Sequence, residues 1–126
     1  VITQTNVTSP SQEIIFLDTA MGATVDSVKA SSAQVYSISV NNTLNASPVY
    51  VKLFNLASGS VTVGTTAPDE VIYIPASSII TQNYFTAGST PGKVFATALS
   101  AACLTTGGTG GVTSPTLNVS VTVSYV

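Results

Sequence analysis

Leu117-Asn118-Val119-Ser120-Val121-Thr122-Val123-Ser124-Tyr125 alternates apolar and polar residues without a break. Successive side chains of a β-strand point to opposite faces, so this period of two predicts a half-buried strand. Leu117, Val119, Val121, Val123 and Tyr125 then share one face, assigned to the core. Val35 to Val40 behaves in the same way and predicts a second strand, with Tyr36, Ile38 and Val40 inward.

Working outward, Val49 to Phe54 is rich in β-branched and aromatic residues. Val49, Val51 and Leu53 oppose Tyr50, Lys52 and Phe54, so both faces carry apolar groups. That pattern predicts a strand that is central or covered by a partner. Glu70 to Ile74, stopped by Pro75, is a shorter strand whose Val71 is assigned inward. Glu13 to Leu17, Thr24 to Ala30, Ser60 to Val63 and Lys93 to Leu99 complete the set, and Ala96 to Leu104 is the one place where a short helix competes.

The joints are written in turn residues: Ser9-Pro10-Ser11, Asn41-Asn42-Thr43, Ser47-Pro48, Ser58-Gly59-Ser60, Ala67-Pro68-Asp69, Thr90-Pro91-Gly92 and the run Gly107 to Gly111. Short strands punctuated in this way predict an all-β chain, a single-domain antiparallel β-sandwich of jelly-roll or immunoglobulin-like type with about eight strands. The sandwich is placed at residues 13–126. Residues 1–12 carry no charge and no sustained alternation, and are read as an extended N-terminal arm. Thr105 to Ser114, with its four glycines, is read as a loop or an arm, and its Gly107 to Gly111 run as a flexible linker.

Only 6% of the 126 residues are charged, against roughly a quarter in ordinary soluble domains. Lys29, Lys52 and Lys93 are the only cations, and Glu13, Asp18, Asp26, Asp69 and Glu70 the only anions. Ser and Thr together number 36, so hydroxyl groups supply most of the polar surface. So few cations argue against nucleic-acid binding and against polybasic membrane attachment. Mean hydropathy is positive, yet no apolar run approaches the roughly 20 residues of a membrane-spanning helix. No secretory signal is visible at the start.

The chain has no His, Arg or Trp and one cysteine. A serine nucleophile lacks its base, and zinc lacks its preferred ligands. Adjacent strand residues diverge, so Asp69 and Glu70 are read as a solvated turn pair rather than a converging acid pair. Gly107 to Gly111 lacks the Lys and helix of a phosphate-binding loop. Cys103, among Ala101, Ala102 and Leu104, is read as a packing residue. No catalytic residue, cofactor or metal is expected, and the sequons at Asn6, Asn41, Asn45 and Asn118, of which about half are expected by chance in so Ser/Thr-rich a chain, are not read as glycosylation sites. The candidate interface residues are Val1, Ile2, Thr3 and Gln4 in the arm, with Tyr84 and Phe85 in a polar stretch read as loop. These two aromatics are read either as an interface anchor or as a plug for the end of the sandwich.

Val49-Tyr50-Val51-Lys52-Leu53-Phe54-Asn55, a short spacer from Leu56 to Ser60, then Val63-Gly64-Thr65-Thr66-Ala67-Pro68 and Ile74-Pro75-Ala76 occur in that order. This run resembles small virion structural proteins of tailed bacteriophages, in which a strand ending Lys-Leu-Tyr/Phe-Asn precedes a Val-Gly-Thr-x-x-Pro element. The resemblance covers Val49 to Ala76. Family members carry Asp and Asn in the later linker, where this chain has Gly107 to Gly111. What the resemblance implies is a decoration or cement protein on the outer surface of the capsid. Its partners would be the major capsid protein and, in a homo-oligomer (dimer or trimer), further copies of itself. Attachment through the arm would respond little to salt. The competing readings are a tail or fibre adhesin or carbohydrate-binding module, with exposed aromatics in a concave patch, and a surface subunit that donates a terminal strand to its neighbour.

Overall fold

The alternating C-terminal segment lies inside a sheet, with a strand on each side. The computed structural model describes residues 13–84 and 92–126. The arm, with Val1, Ile2, Thr3 and Gln4, and also Phe85, lie outside the described residues. Among the described residues nine strands are present: β1 (Ile14–Asp18), β2 (Asp26–Lys29), β3 (Ala33–Asn41), β4 (Val49–Phe54), β5 (Glu70–Ile74), β6 (Ile79–Asn83), β7 (Lys93–Phe95), β8 (Leu99–Leu104) and β9 (Ser120–Tyr125).

One sheet runs β1-β9-β3-β6 and the other β2-β8-β4-β5, with every pairing antiparallel. β6 pairs with Ser37 to Asn41 and β7 with Ala33 to Val35, so the two follow one another along a single flank of β3. Counted as one interrupted strand, they give eight strands in nested pairs: β1 with β9, β2 with β8, β3 with β6 and β7, and β4 with β5. A long antiparallel ribbon folded over in this order is a jelly roll.

The core lies between the sheets. Val35, Ile38, Val40, Val119, Val121 and Val123 face it from the first sheet, and Val49, Val51, Leu53, Ile72, Ile74, Leu99, Ala101 and Cys103 from the second. Of the residues assigned inward, Ile38, Val40, Val119, Val121, Val123 and Tyr125 are buried. Tyr36 and Val71 are not, nor is Leu117. Pairing between β3 and β9 slips between Val35 and Ser37, a bulge that lets Val35 and Ile38 both point inward and turns Tyr36 aside. β5 is apolar on both faces, so its pattern left the inward set open, and Ile72 and Ile74 take it while Val71 faces out.

Three further departures have local causes. Leu117 is 53% exposed, and β9 starts only at Ser120. The Asn45 side chain holds Leu117 instead, its Oδ1 accepting the Leu117 N–H and its Nδ2 donating to the Leu117 carbonyl. Ser60 to Val63 is not a strand: a 3-10 turn occupies Ser58–Ser60, and the Thr62 carbonyl accepts the N–H groups of Thr65 and Thr66. Lys93 to Leu99 is divided, because the chain leaves the first sheet at Phe95 and enters the second at Leu99. The stretch that contains Tyr84, read as loop, begins as β6, an outer strand with few apolar residues to reveal it.

Candidate interaction surfaces

The outward face of β4 and β8, at the centre of the second sheet, is covered by loops. Lys52 and Phe54 are each 1% exposed and Ser100 is fully buried, although all three point away from the core between the sheets. The Lys52 ammonium donates to the Gly110 carbonyl at 3.0 Å, which ties the glycine-rich stretch across β4. Gly107 lies so close to the Tyr50 ring that a Cβ there would stand 2.9 Å from it. The stretch read as a flexible linker is a docked lid. Among the described residues no carboxylate pairs with Lys52, and burial pulls its pKa below the usual lysine value. Replacing Lys52 with Met keeps the buried stem and removes the donor to Gly110. We expect a loss of about 1–2 kcal/mol in urea unfolding and faster proteolysis at Gly107 to Gly111; unchanged values on both would show that the lid is held without the lysine.

The other motif residues serve the same closure. Asn55 donates its N–H to Asp69 Oδ2 at 2.7 Å, and its Oδ1 accepts from Thr97 N–H at 2.8 Å, where the chain crosses between sheets. The Thr66 hydroxyl accepts the Thr62 N–H, and Gly64 has φ +88°, a left-handed conformation that favours glycine. Lys52, Asn55, Gly64 and Asp69 thus brace the loops around β4. Asp69 and Glu70, adjacent in sequence, go to separate partners: Asp69 to Asn55, and Glu70 to Lys93 at 3.0 Å.

Two seams join the sheets at their flanks, and they differ chemically. On one, Glu70 of β5 meets Lys93 of β7. Tyr84 stands beside them, its ring against the core and its hydroxyl buried without a partner. Burial, with a smaller effect of Glu70, pushes the Tyr84 phenol up to about 12. On the other seam Asp18 of β1 meets Asp26 of β2. Asp26 Oδ2 is buried without a donor, and burial first, then the hydrogen bond and charge of Asp18, raise the Asp26 pKa to about 7. A proton held between the two carboxylates accounts for the orphaned oxygen. Nothing in the spacing of residues 18 and 26 announces this pair, because only the stacking of β1 over β2 creates it.

Buried Asn42 and Asn45 clip one end of the sandwich. Asn42 Nδ2 donates to the carbonyls of Ser47 and Pro75, each at 3.0 Å, and Asn45 Nδ2 donates to Asn42 Oδ1 at 2.9 Å. With its amide consumed and its side chain buried, Asn45 is closed to modification in the folded chain. Beside it lies a hollow of about 260 Å³ walled by Leu44, Ala46, Pro48, Pro115 and Leu117. That is below the range of most small-molecule sites. Tyr50 and Tyr73 pair on the outer face of the second sheet with ring centroids 5.4 Å apart, but the rings are inclined by 55° and form no flat platform for a sugar.

Cys103 is fully buried, and burial pushes its thiol up to about 12, so it packs rather than reacts. Among the described residues no group of three or more acidic, Cys or His side chains is placed to hold a metal ion, and no helix is long and apolar enough to cross a membrane. Comparison of the chain with protein-family models, with curated proteins and with solved structures gives no match. The fold therefore defines the class, a single jelly-roll sandwich with the centre of one face covered by its own loops.

Proposed function

We propose that this chain is a non-enzymatic structural protein of a tailed-bacteriophage virion, a decoration or cement protein that binds the outer surface of the capsid and bridges neighbouring major capsid subunits. The observation that carries this reading is that Val49 to Ala76, the run resembling small virion proteins, is one contiguous building block: β4, the loop that follows it, and β5. Within that block Lys52, Asn55 and Gly64 have structural work that accounts for their place in the pattern. A hydroxyl-rich, charge-poor surface suits repeated, salt-tolerant contacts, each modest, with repetition over the shell supplying avidity. Jelly rolls also serve as lectin domains, so the fold alone does not choose. The inclined Tyr50 and Tyr73 rings favour the shell reading over the sugar-binding one.

The test is the copy number of this protein relative to the major shell protein in purified virions. A comparable number is the expected result. A small fraction of the shell number, or retention on a glycan array with no binding to capsids, overturns the proposal.

A further inference from the structure

Outer strands leave a row of backbone N–H and C=O groups open to further pairing, and proteins ordinarily blunt them with charge, proline or a bulge. The second sheet follows this rule. β2 carries Asp26 and Lys29 with a register slip between Ser27 and Lys29, and β5 opens with Glu70 in its ion pair. The first sheet does not. β1 reads Ile14-Ile15-Phe16-Leu17-Asp18 in unbroken register with β9, and its one charged residue, Asp18, turns into the seam toward Asp26. β6 reads Ile79-Ile80-Thr81-Gln82-Asn83 in unbroken register with β3 and has no charge, no proline and no bulge. Ile15 and Leu17 are each 58% exposed and Ile79 is 57% exposed. Among the described residues, β1 pairs only with β9, and β6 only with β3.

We infer that β1 of one copy pairs with β6 of a second copy of this chain, extending the first sheet head to tail. Three features select this occupant. Both strands are five residues long. Their directions match: β1 runs parallel to β3 and β6 antiparallel to it, so a copy added across the sheet sets β1 antiparallel to β6 and keeps the alternation. Charge also decides. Pairing β1 with another β1 would crowd Glu13 and Asp18 of both copies around a short ladder, whereas β6 brings no charge to meet them. A contact between two different edges closes into a ring when the rotation per copy permits. This inference does not depend on the virion reading, since it concerns the isolated protein in solution.

The experiment is sedimentation of the full chain over a concentration series, with two variants altered at outward-facing positions. One carries Ile15→Lys and Leu17→Lys in β1, the other Ile79→Lys and Thr81→Lys in β6. Wild type is expected to sediment at a multiple of the chain mass, and each variant as a monomer with its melting transition kept. An equimolar mixture of the two variants should form a one-to-one dimer and nothing larger, because one intact β6 then meets one intact β1. Hydrogen exchange on wild type needs no variant: amide protection in β1 and β6 should rise together with concentration. A monomeric wild type without that protection, assembly surviving in either variant, or a mixture that stays monomeric overturns the inference.

Discussion

Val121→Asp is expected to leave the chain unfolded at 25 °C. Val121 is fully buried, paired with Asp18 on one side and Val40 on the other. A carboxylate there loses the valine contacts and gains no partner, and the nearest ionisable group across the ladder is Asp18, of the same sign. An unpaired buried charge costs several kcal/mol, comparable with the roughly 5–15 kcal/mol that holds a domain folded. Thr122→Asp, one position along, points to the outer face between Leu17 and Ser39 and should shift stability by only about 0.5 kcal/mol. Far-UV circular dichroism and thermal melting of the two variants measure the contrast. A folded Val121→Asp protein melting with wild type would show that β9 presents its other face to the core.

The second large effect is on pH. With the folded pKa of Asp26 raised from 3.8 to about 7, the folded chain holds a proton that the unfolded chain releases. Between these two values the folded state binds more protons, so stability falls as pH rises. The stabilisation is complete below about pH 4, declines through the window up to about 7, and is flat above it. Solvent reaches this pair, so the fall in melting temperature is on the order of a few degrees. Asp26→Asn imitates the protonated form, since its amide can donate to Asp18 at every pH. The variant should melt at a nearly constant temperature from pH 4 to 8 and exceed wild type above pH 7. If it keeps the wild-type slope, the pH dependence originates elsewhere. Above about pH 7, where the stabilising proton of the Asp18–Asp26 pair is lost, opening should begin at β1 and β2, where hydrogen exchange would detect it first.

How much of this was legible in the sequence depends on whether a feature is local. Period-two alternation reports what one strand does to its own side chains, and from it alone Val35 to Val40, Val49 to Phe54 and Val119 to Tyr125 announce an all-β sandwich with Ile38, Val40, Leu53, Val119, Val121 and Val123 in its core. Covering on both faces of β4 was also legible, since Val49, Val51 and Leu53 stand opposite Tyr50 and Phe54. What covers it was not. The glycines of residues 107–111 read as freedom, but the Lys52 ammonium beneath them had to find an acceptor, and the Gly110 carbonyl is within reach only after folding.

Everything that required a second segment was left to the tertiary structure. The bulge that expels Tyr36 is set by the register of β9 against β3, and the choice of Ile72 over Val71 by what faces β5 across the core. The edge strand β6 shows little apolar pattern because one flank pairs and little of it is buried. The Asp18–Asp26 pair and the Asn45 clip on Leu117 join residues whose separation along the chain carries no signal. The class of structure was set by alternation, which is a property of each strand alone. Register, inward face and the pairing of buried polar groups were decided only when the strands met, because each is an energy shared between segments and is stored in neither.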